Sequence, residues 1–540
     1  MEFATIDYVV FGAYALLILA IGLWVSREKD GGEKDAADYF LASKSLPWWA
    51  IGASLIASNI SAEQFIGMSG SGFRMGLAIA SYEWMAAVTL LLVAYFFLPI
   101  FLKKGIYTMP QFLQMRYDDR VRNVLAVFWL FVFVFVNLTS VLHLGALAME
   151  NIMGVNYWYA LVGLAVFAAI YSIYGGLKAV AWTDVVQVIF LIGGGLLTTY
   201  MALQAYGDGA GVMAGFSKLM STASDHFSMI LDPGEIIYQD DTGTDKDAYM
   251  DLPGLSVLIG GMWIANVYYW GFNQYIIQRA LAAKNIAEAQ RGLAFAGYLK
   301  LLLPLIVVIP GIVAYAMYTE DPTAVPIGKA DEAYPWLLGK FIGPGLKGLA
   351  FAALIAAVVS SLASMMNSTS TIFTMDLYRN YVDKDASQKK LVFVGRIAAF
   401  VALLLAVMVA YPLLGATDQV FQYIQEYTGF VSPGVLAIFI TGLFYKKATS
   451  NAALLSAVVS IPLSVLMKVF FEELPFMNRM GIVFLVCLGI IALFSYLEKK
   501  GKDDPKGIDL SDITVARDPI FMASAFGILI LTTVLYVVFW

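Results

Sequence analysis

Ser58-Asn59-Ile60-Ser61-Ala62-Glu63-Gln64 is the stretch from which the fold can be read. It lies inside an apolar segment that runs from Trp48 to Gly70. Amides, hydroxyls and a carboxylate are costly in hydrocarbon unless paired, so these residues face a cavity or a partner helix rather than lipid. Gly52, Gly67, Gly70 and Gly72 lie close by, so the helix can break there. A broken helix at membrane depth exposes backbone carbonyls and dipole ends, the material of an ion site in a coupled transporter.

Composition places the whole chain in a membrane. Of 540 residues, 60% are hydrophobic and 14% are charged, with a mean hydropathy of +0.75. Soluble domains carry about 25% charged residues. The net charge of −6 argues against nucleic acid as a partner. A single cysteine, Cys487, excludes an internal disulfide and a cysteine-rich metal site. Of the two histidines, His143 lies in an apolar segment and reads as a helix-packing hydrogen bond. The first apolar run, Tyr8 to Val25, follows acidic residues and not a basic leader, so it does not read as a removable signal peptide.

A spanning helix needs roughly 20 apolar residues. Such runs occur at 5–25, 47–72, 77–101, 121–150, 156–174, 179–205, 253–276, 292–318, 342–378, 391–411, 418–444, 450–471, 476–497 and 518–540. They are a lead span followed by spans one to thirteen, about fourteen in all. Basic residues test the count, because they collect on cytoplasmic loops. Arg27, Lys29 and Lys34 follow the lead span; Lys103, Lys104, Arg116 and Arg122 follow span two; Arg279 and Lys284 follow span six; Lys446 and Lys447 follow span ten; Lys499 and Arg517 follow span twelve. These loops alternate, which puts both termini outside. The loop 206–252, of opposite parity, is acidic, with Asp232, Asp240, Asp241 and Asp251 among its residues.

Span six carries a second interruption, from Gly260 to Gly271, with Asn266, Tyr268, Tyr269 and Trp270 inside it. Spans one and six cross in opposite directions, so paired breaks point to an inverted-repeat transporter with its site between the repeats. The expected architecture is an all-α polytopic membrane protein with two inverted five-helix repeats, each opening on a broken helix. The divisions are 1–46 (lead helix and cytoplasmic loop), 47–205 (first repeat), 206–252 (outer loop), 253–444 (second repeat) and 445–540 (peripheral helices eleven to thirteen).

Two groups of polar residues sit at membrane depth. Ser360, Ser361, Ser364 and Ser368 fall in span eight. Small residues at such spacing are also a packing face, which suits Ser364 and Ser368. Ser360 and Ser361 are adjacent, so packing explains only one of them. A hard monovalent cation wants about five or six oxygens, which two hydroxyls and carbonyls freed in span one would supply. The second group is Gln64, Glu83, Asn266, Lys300 and Gln425. Amides, a carboxylate and an ammonium on apolar walls suit a neutral polyhydroxylated solute. For Lys300 the plain alternative is a side chain snorkelling from about 12 Å depth, and for Glu83 an interfacial anchor.

Tyr174-Gly175-Gly176-Leu177-Lys178-Ala179-Val180-Ala181-Trp182-Thr183-Asp184 resembles the signature of the sodium/solute symporter family. Thr108 to Leu113 and Ser360 to Ser368 match that family too, and Tyr269-Trp270 with Gln274 to Lys284 resembles its sugar branch. The resemblance covers nearly the whole chain. It implies alternating access, with sodium held by the carbonyls of Ala57, Ile60 and Ala357 and the hydroxyls of Ser360 and Ser361. It implies sugar contacts from Gln64, Glu83, Asn266, Lys300 and Gln425, an inner gate at Tyr269 tied to Asn59, and Asp184 on the ion path. Ala363 stands where animal glucose members carry a threonine at a second sodium site, which favours one sodium per sugar. Asn273 stands where they carry an aspartate.

The resulting expectation is a sodium-coupled symporter for galactose and also glucose. It is multi-pass in a bacterial inner membrane, with both termini periplasmic. Its partners are sugar, sodium and the lipid bilayer, with no nucleic acid, and a homodimer is allowed. The competing reading is a sodium symporter for an amino acid, a carboxylate or a nucleobase. An enzyme is not expected, because no nucleophile–base pair or metal set is evident.

Overall fold

The computed structural model describes residues 3–25, 36–239, 244–323, 325, 327–415, 420–511, 513 and 518–540. Arg27, Lys29, Lys34, Asp240, Asp241 and Arg517, used above for topology, lie outside the described residues. The helices used below are α1 (Thr5–Val25), α2 (Trp48–Asn59), α3 (Glu63–Lys103), α4 (Asp119–Met153), α5 (Tyr157–Tyr206), α6 (Leu255–Ile259), α7 (Gly261–Phe272), α8 (Gln274–Leu281) and α9 (Ile286–Glu320). They continue with α10 (Leu346–Tyr381), α11 (Gln388–Leu414), α12 (Val420–Thr428), α13 (Ser432–Phe444), α14 (Ser450–Phe470), α15 (Phe476–Lys499) and α16 (Pro519–Val538). Among the described residues, ten helices are long and apolar enough to cross a membrane, or up to twelve if each of two bent pairs is one span.

The break in the opening stretch is present and has a local cause. α2 ends at Asn59 because Ile60 turns extended, with φ −74° and ψ 106°. The Gln64 side chain then takes the backbone N–H of Ser61 at 2.9 Å, which a continuing helix would have given to the Ala57 carbonyl. The Gln64 N–H turns to Ser61 O at 3.2 Å instead of Ile60 O. The chain re-enters as a wide π turn over Glu63–Met68, a form common at functional sites.

α10 is the central helix: 94% of its apolar window is buried, against 17% for α1 and 22% for α16. α5 packs along it. α5 changes direction at Gly176, where φ is +67° and a Cβ would lie 2.5 Å from the Tyr39 carbonyl oxygen, so only glycine fits.

Three expectations need correction. Span six does not break among Asn266, Tyr269 and Trp270, which sit in the intact helix α7. Its breaks are at Gly260, with a bend of 76° between the pieces, and at Asn273. Glycine tolerates the first turn and α7 packs too closely on Met477 for a side chain at Gly261. Second, Arg116, Arg122 and Arg279 are not solvated loop charges; each is fully buried. Arg116 donates to the carbonyls of Gly442, Tyr445 and Ala448 and so caps the C-terminal end of α13. Third, the chain is not purely helical: the loop 206–252 contains a short antiparallel hairpin, Ile237–Gln239 with Asp245–Asp247.

Candidate functional site

A cavity of about 70 Å³ lies beside the break. Gln64, Glu83, Asn266, Lys300 and Gln425 all line it, together with Asn59, Tyr269 and Trp270. Residues far apart in sequence are thus brought together from α2, α3, α7, α9 and α12.

Lys300 is 1% exposed and does not snorkel; its Nζ donates to Glu83 Oε2 and to Asn59 Oδ1. The ammonium also lies 5.0 Å from the centre of the Trp270 ring. Glu83 is therefore an ion-pair partner and not an interfacial anchor. Asn59 Nδ2 donates to the Tyr269 hydroxyl at 2.9 Å, and that hydroxyl pairs with the Tyr275 hydroxyl. Asn266 Nδ2 has no hydrogen-bond partner among the described residues. The cavity therefore offers a neutral ion pair, unspent amide capacity and aromatic faces. Glu63 adds a second carboxylate to the lining, and the set as a whole suits hydroxyl groups.

On the opposite side of α2 lies a closed polar network. Ser361 Oγ donates to the Ser58 carbonyl at 3.0 Å. Ser360 Oγ donates to Asp184 Oδ1 at 2.5 Å, and Ser54 Oγ to Asp184 Oδ2 at 2.5 Å. The Ser58 and Ser364 hydroxyls are 2.8 Å apart. The network binds α2, α5 and α10 together. Ser364 and Ser368 also make hydrogen bonds across helices, to Arg279 and Gln278 of α8, which goes beyond packing as small residues. His143 makes the packing bond expected of it, Nδ1 to the Tyr157 hydroxyl at 2.7 Å.

Several participants escaped sequence reasoning. Arg279 is fully buried, 4.0 Å from Asp184 and bonded to Ser54 at 3.0 Å. It is the counter-charge of the network, and its position just after an apolar span disguised it as a loop cation. Glu63, left without a role by the sequence, lines the cavity and accepts from Ser140 Oγ at 2.7 Å. Tyr82 and Phe421, edge-to-face with centres 5.4 Å apart, form another wall. Asn273 Oδ1 is buried without a partner among the described residues, so the place of the animal aspartate is held here by an unsatisfied amide oxygen.

A sequence model described as the sodium:solute symporter family matches residues 39–460. The chain is 53% identical to the sodium/glucose cotransporter of Vibrio parahaemolyticus, over 99% of this chain and 98% of that one. It is 35% identical to the sodium/myo-inositol cotransporter 2 of Bos taurus, over 84% of this chain and 68% of the relative. Among solved structures, a Na+-coupled sialic acid symporter superposes with a TM-score of 0.78 at 24% identity, covering 92% of this chain and 98% of that one. The nucleobase-cation symporter Mhp1 gives 0.54 at 14% identity, over 91% and 99%. At those identities the two structures speak for the fold alone.

Proposed function

This chain belongs to the sodium:solute symporter family, and on that premise we propose that it is a sodium-coupled sugar symporter. The observation that carries the reading is the convergence of Gln64, Glu83, Asn266, Lys300 and Gln425 on one cavity beside the helix break. The named substrate of the 53% identical relative is glucose. Galactose differs from it at one hydroxyl, and both are expected to be carried.

In this reading sodium binds between α2 and α10. The carbonyls of Ala57 and Ile60 have lost their usual helical donors to the Gln64 side chain and the Ser61 carbonyl, which supports their role as ligands. Ala357, one turn before Ser361, supplies a third carbonyl, and Ser360 and Ser361 supply hydroxyls. Asp184 stands behind Ser360 on the ion path. The ion would replace the Ser361–Ser58 bond and hold α2 against α10, favouring the state that receives sugar; coupling is then a difference of affinity between two states. Tyr269 closes the sugar site from the inner side, held by Asn59. Ala363 offers no hydroxyl for a second ion, so one sodium moves per sugar. The fourteen spans, the repeats at 47–205 and 253–444, and termini on the outer face of a bacterial inner membrane belong to the same proposal.

The rival reading is an amino acid, a carboxylate or a nucleobase, and the first two bring a carboxylate that needs a spare cation in the cavity. Lys300 is already matched by Glu83. The test is uptake of labelled glucose and galactose into proteoliposomes under a sodium gradient, with potassium as the control and proline and pantothenate as competitors. Sodium-dependent sugar accumulation that neither competitor reduces is expected. Accumulation indifferent to sodium, or blocked by proline, would refute the proposal.

A further inference from the structure

The sequence placed 445–540 at the periphery, yet the first turn of α15 enters the cavity. Phe476, Met477 and Met480 line it alongside Gln425, Thr428 and Gly429. The approach is close. A Cβ on Gly261 would lie 2.4 Å from the Met477 carbonyl oxygen, and one on Gly429 would lie 2.8 Å from Met480 Sδ. Both glycines sit at bends: Gly261 begins α7 after the Gly260 break, and Gly429 lies in the 46° bend between α12 and α13. α15 is therefore packed into the two bends that shape this side of the site.

The same turn also grips α12. Arg479 Nη2 donates to Glu426 Oε1 at 3.0 Å, and Lys468 of α14 reaches the same oxygen at 3.2 Å. The Arg479 side chain is 12% exposed and Glu426 26%, so the contact is sheltered from solvent on both sides. The Lys468 ammonium lies 4.9 Å from the Tyr427 ring centre, which fixes the next residue of the same helix. Gln425 immediately precedes Glu426. Adjacent residues on a helix are held about 100° apart, so fixing Glu426 fixes the rotation of α12 and the aim of Gln425.

Building on the proposed sugar transport, we infer that the Phe476–Met480 turn is a specificity-determining wall of the sugar cavity, and that Arg479 is a positioning residue for Gln425 acting through Glu426. The wall limits substituents on the edge of the sugar that faces Gln425. Hexoses free of substituents there are accepted; derivatives carrying a methyl or acetamido group on that edge meet Met477 and Met480.

The experiment is competition of labelled glucose uptake in proteoliposomes by glucose and by derivatives substituted at each ring position in turn. For at least one position, Met480→Ala is expected to lower the half-inhibiting concentration of the derivative, relative to glucose, by about tenfold, the scale of relieving a steric exclusion in an apolar pocket. An unchanged ratio across the whole panel, in Met480→Ala and in Met477→Ala, overturns the wall. For the clamp, Arg479→Gln is expected to raise the sugar KM several-fold while lowering maximal velocity far less, with Glu426→Gln behaving alike. Arg479→Lys restores KM, because the native contact uses one nitrogen only. Equal KM in all four proteins, or a lysine variant as impaired as the glutamine variant, overturns the positioning role. Absence of sodium-dependent glucose uptake in the unaltered protein defeats the proposed function itself, and is read before any variant.

Discussion

The two polar regions flanking the Asn59–Gln64 break are built on opposite plans. The cavity proposed for sugar is lined with groups that still have bonding capacity, such as Asn266 Nδ2, which has no partner among the described residues. The network around Asp184 is enclosed, with Asp184, Arg279, Ser360 and Ser361 all at 0% exposure and its hydroxyls bonded to one another, to the carboxylate or to backbone. A cavity for a neutral solute can stay wet, because water satisfies the same groups the solute will. A dry interior cannot leave charges idle, so Asp184 and Arg279 compensate each other beside what we propose is the ion site. Both regions border the same short break, so in the proposed function the filling of one is tied to the geometry of the other.

The largest effects come from removing a charge on either side. Arg279→Ala leaves Asp184 buried and alone, and Lys300→Ala leaves Glu83 likewise; each is expected to cost about 3–5 kcal/mol of stability. Thermal unfolding in detergent checks this, and the contrast is sharpened by the paired variant Glu83→Gln with Lys300→Met, expected to be milder than Lys300→Ala alone. Equal losses for single and paired variants would show that the pair is not acting as a unit. Lys300→Ala should also lose sugar binding, read by competition with labelled glucose.

Ser361→Ala comes next. It removes one uncharged hydroxyl, worth about 1 kcal/mol of stability, yet sodium-driven uptake should vanish. Normal sodium-driven accumulation by this variant would remove Ser361 from the ion site. Tyr269→Phe loses the bond from Asn59, again about 1 kcal/mol. Sugar should still bind but leave faster toward the inner side, which efflux from preloaded proteoliposomes measures; unchanged efflux would remove the gate.

The smallest effect lies away from both regions and serves as their control. His226, in the loop 206–252, stacks on Tyr315 with ring centres 3.6 Å apart. Burial pushes its pKa below 6.5, with Asp225 opposing the shift at 3.5 Å. The folded chain therefore holds fewer protons than the unfolded one below that value, and stability should fall as pH drops through and below about 6.5. His226→Phe should flatten this part of the stability–pH curve while leaving the sodium dependence of uptake in place; an unaltered curve would show that His226 is not its source.

What could be read in advance followed the solvent. Apolar runs, the break at Ser58–Gln64 and the polar residues within spans are all penalties against hydrocarbon, and a penalty is visible residue by residue. Gln64, Glu83, Asn266, Lys300 and Gln425 stood out for that reason. Arg279 did not, since a cation at the end of an apolar run looks the same whether it faces water or Asp184. In span six the interruption was read from Gly260, where the chain does bend, but polar Asn266 and Tyr269 extended it into what is an intact helix, and the break at Asn273 gave no signal. Met477 and Met480 carried no signal at all, being apolar residues in an apolar helix.

Sequence by itself thus settled that this chain lives in a membrane, where one helix must break, and which side chains are too costly to face lipid. These are local free energies of transfer, and they need no knowledge of neighbours. Only the tertiary structure decided which of those side chains meet: Lys300 with Glu83 and Asn59, Ser360 with Asp184, and the turn of α15 with the cavity. Compensation of a buried charge depends on atoms within a few ångströms, and in a helical membrane protein those atoms come from segments far apart along the chain. The break at Asn59–Gln64 belongs to both accounts: its sequence exposes the carbonyls, and the packing of α10 and α9 on either face sets what each side of it can bind.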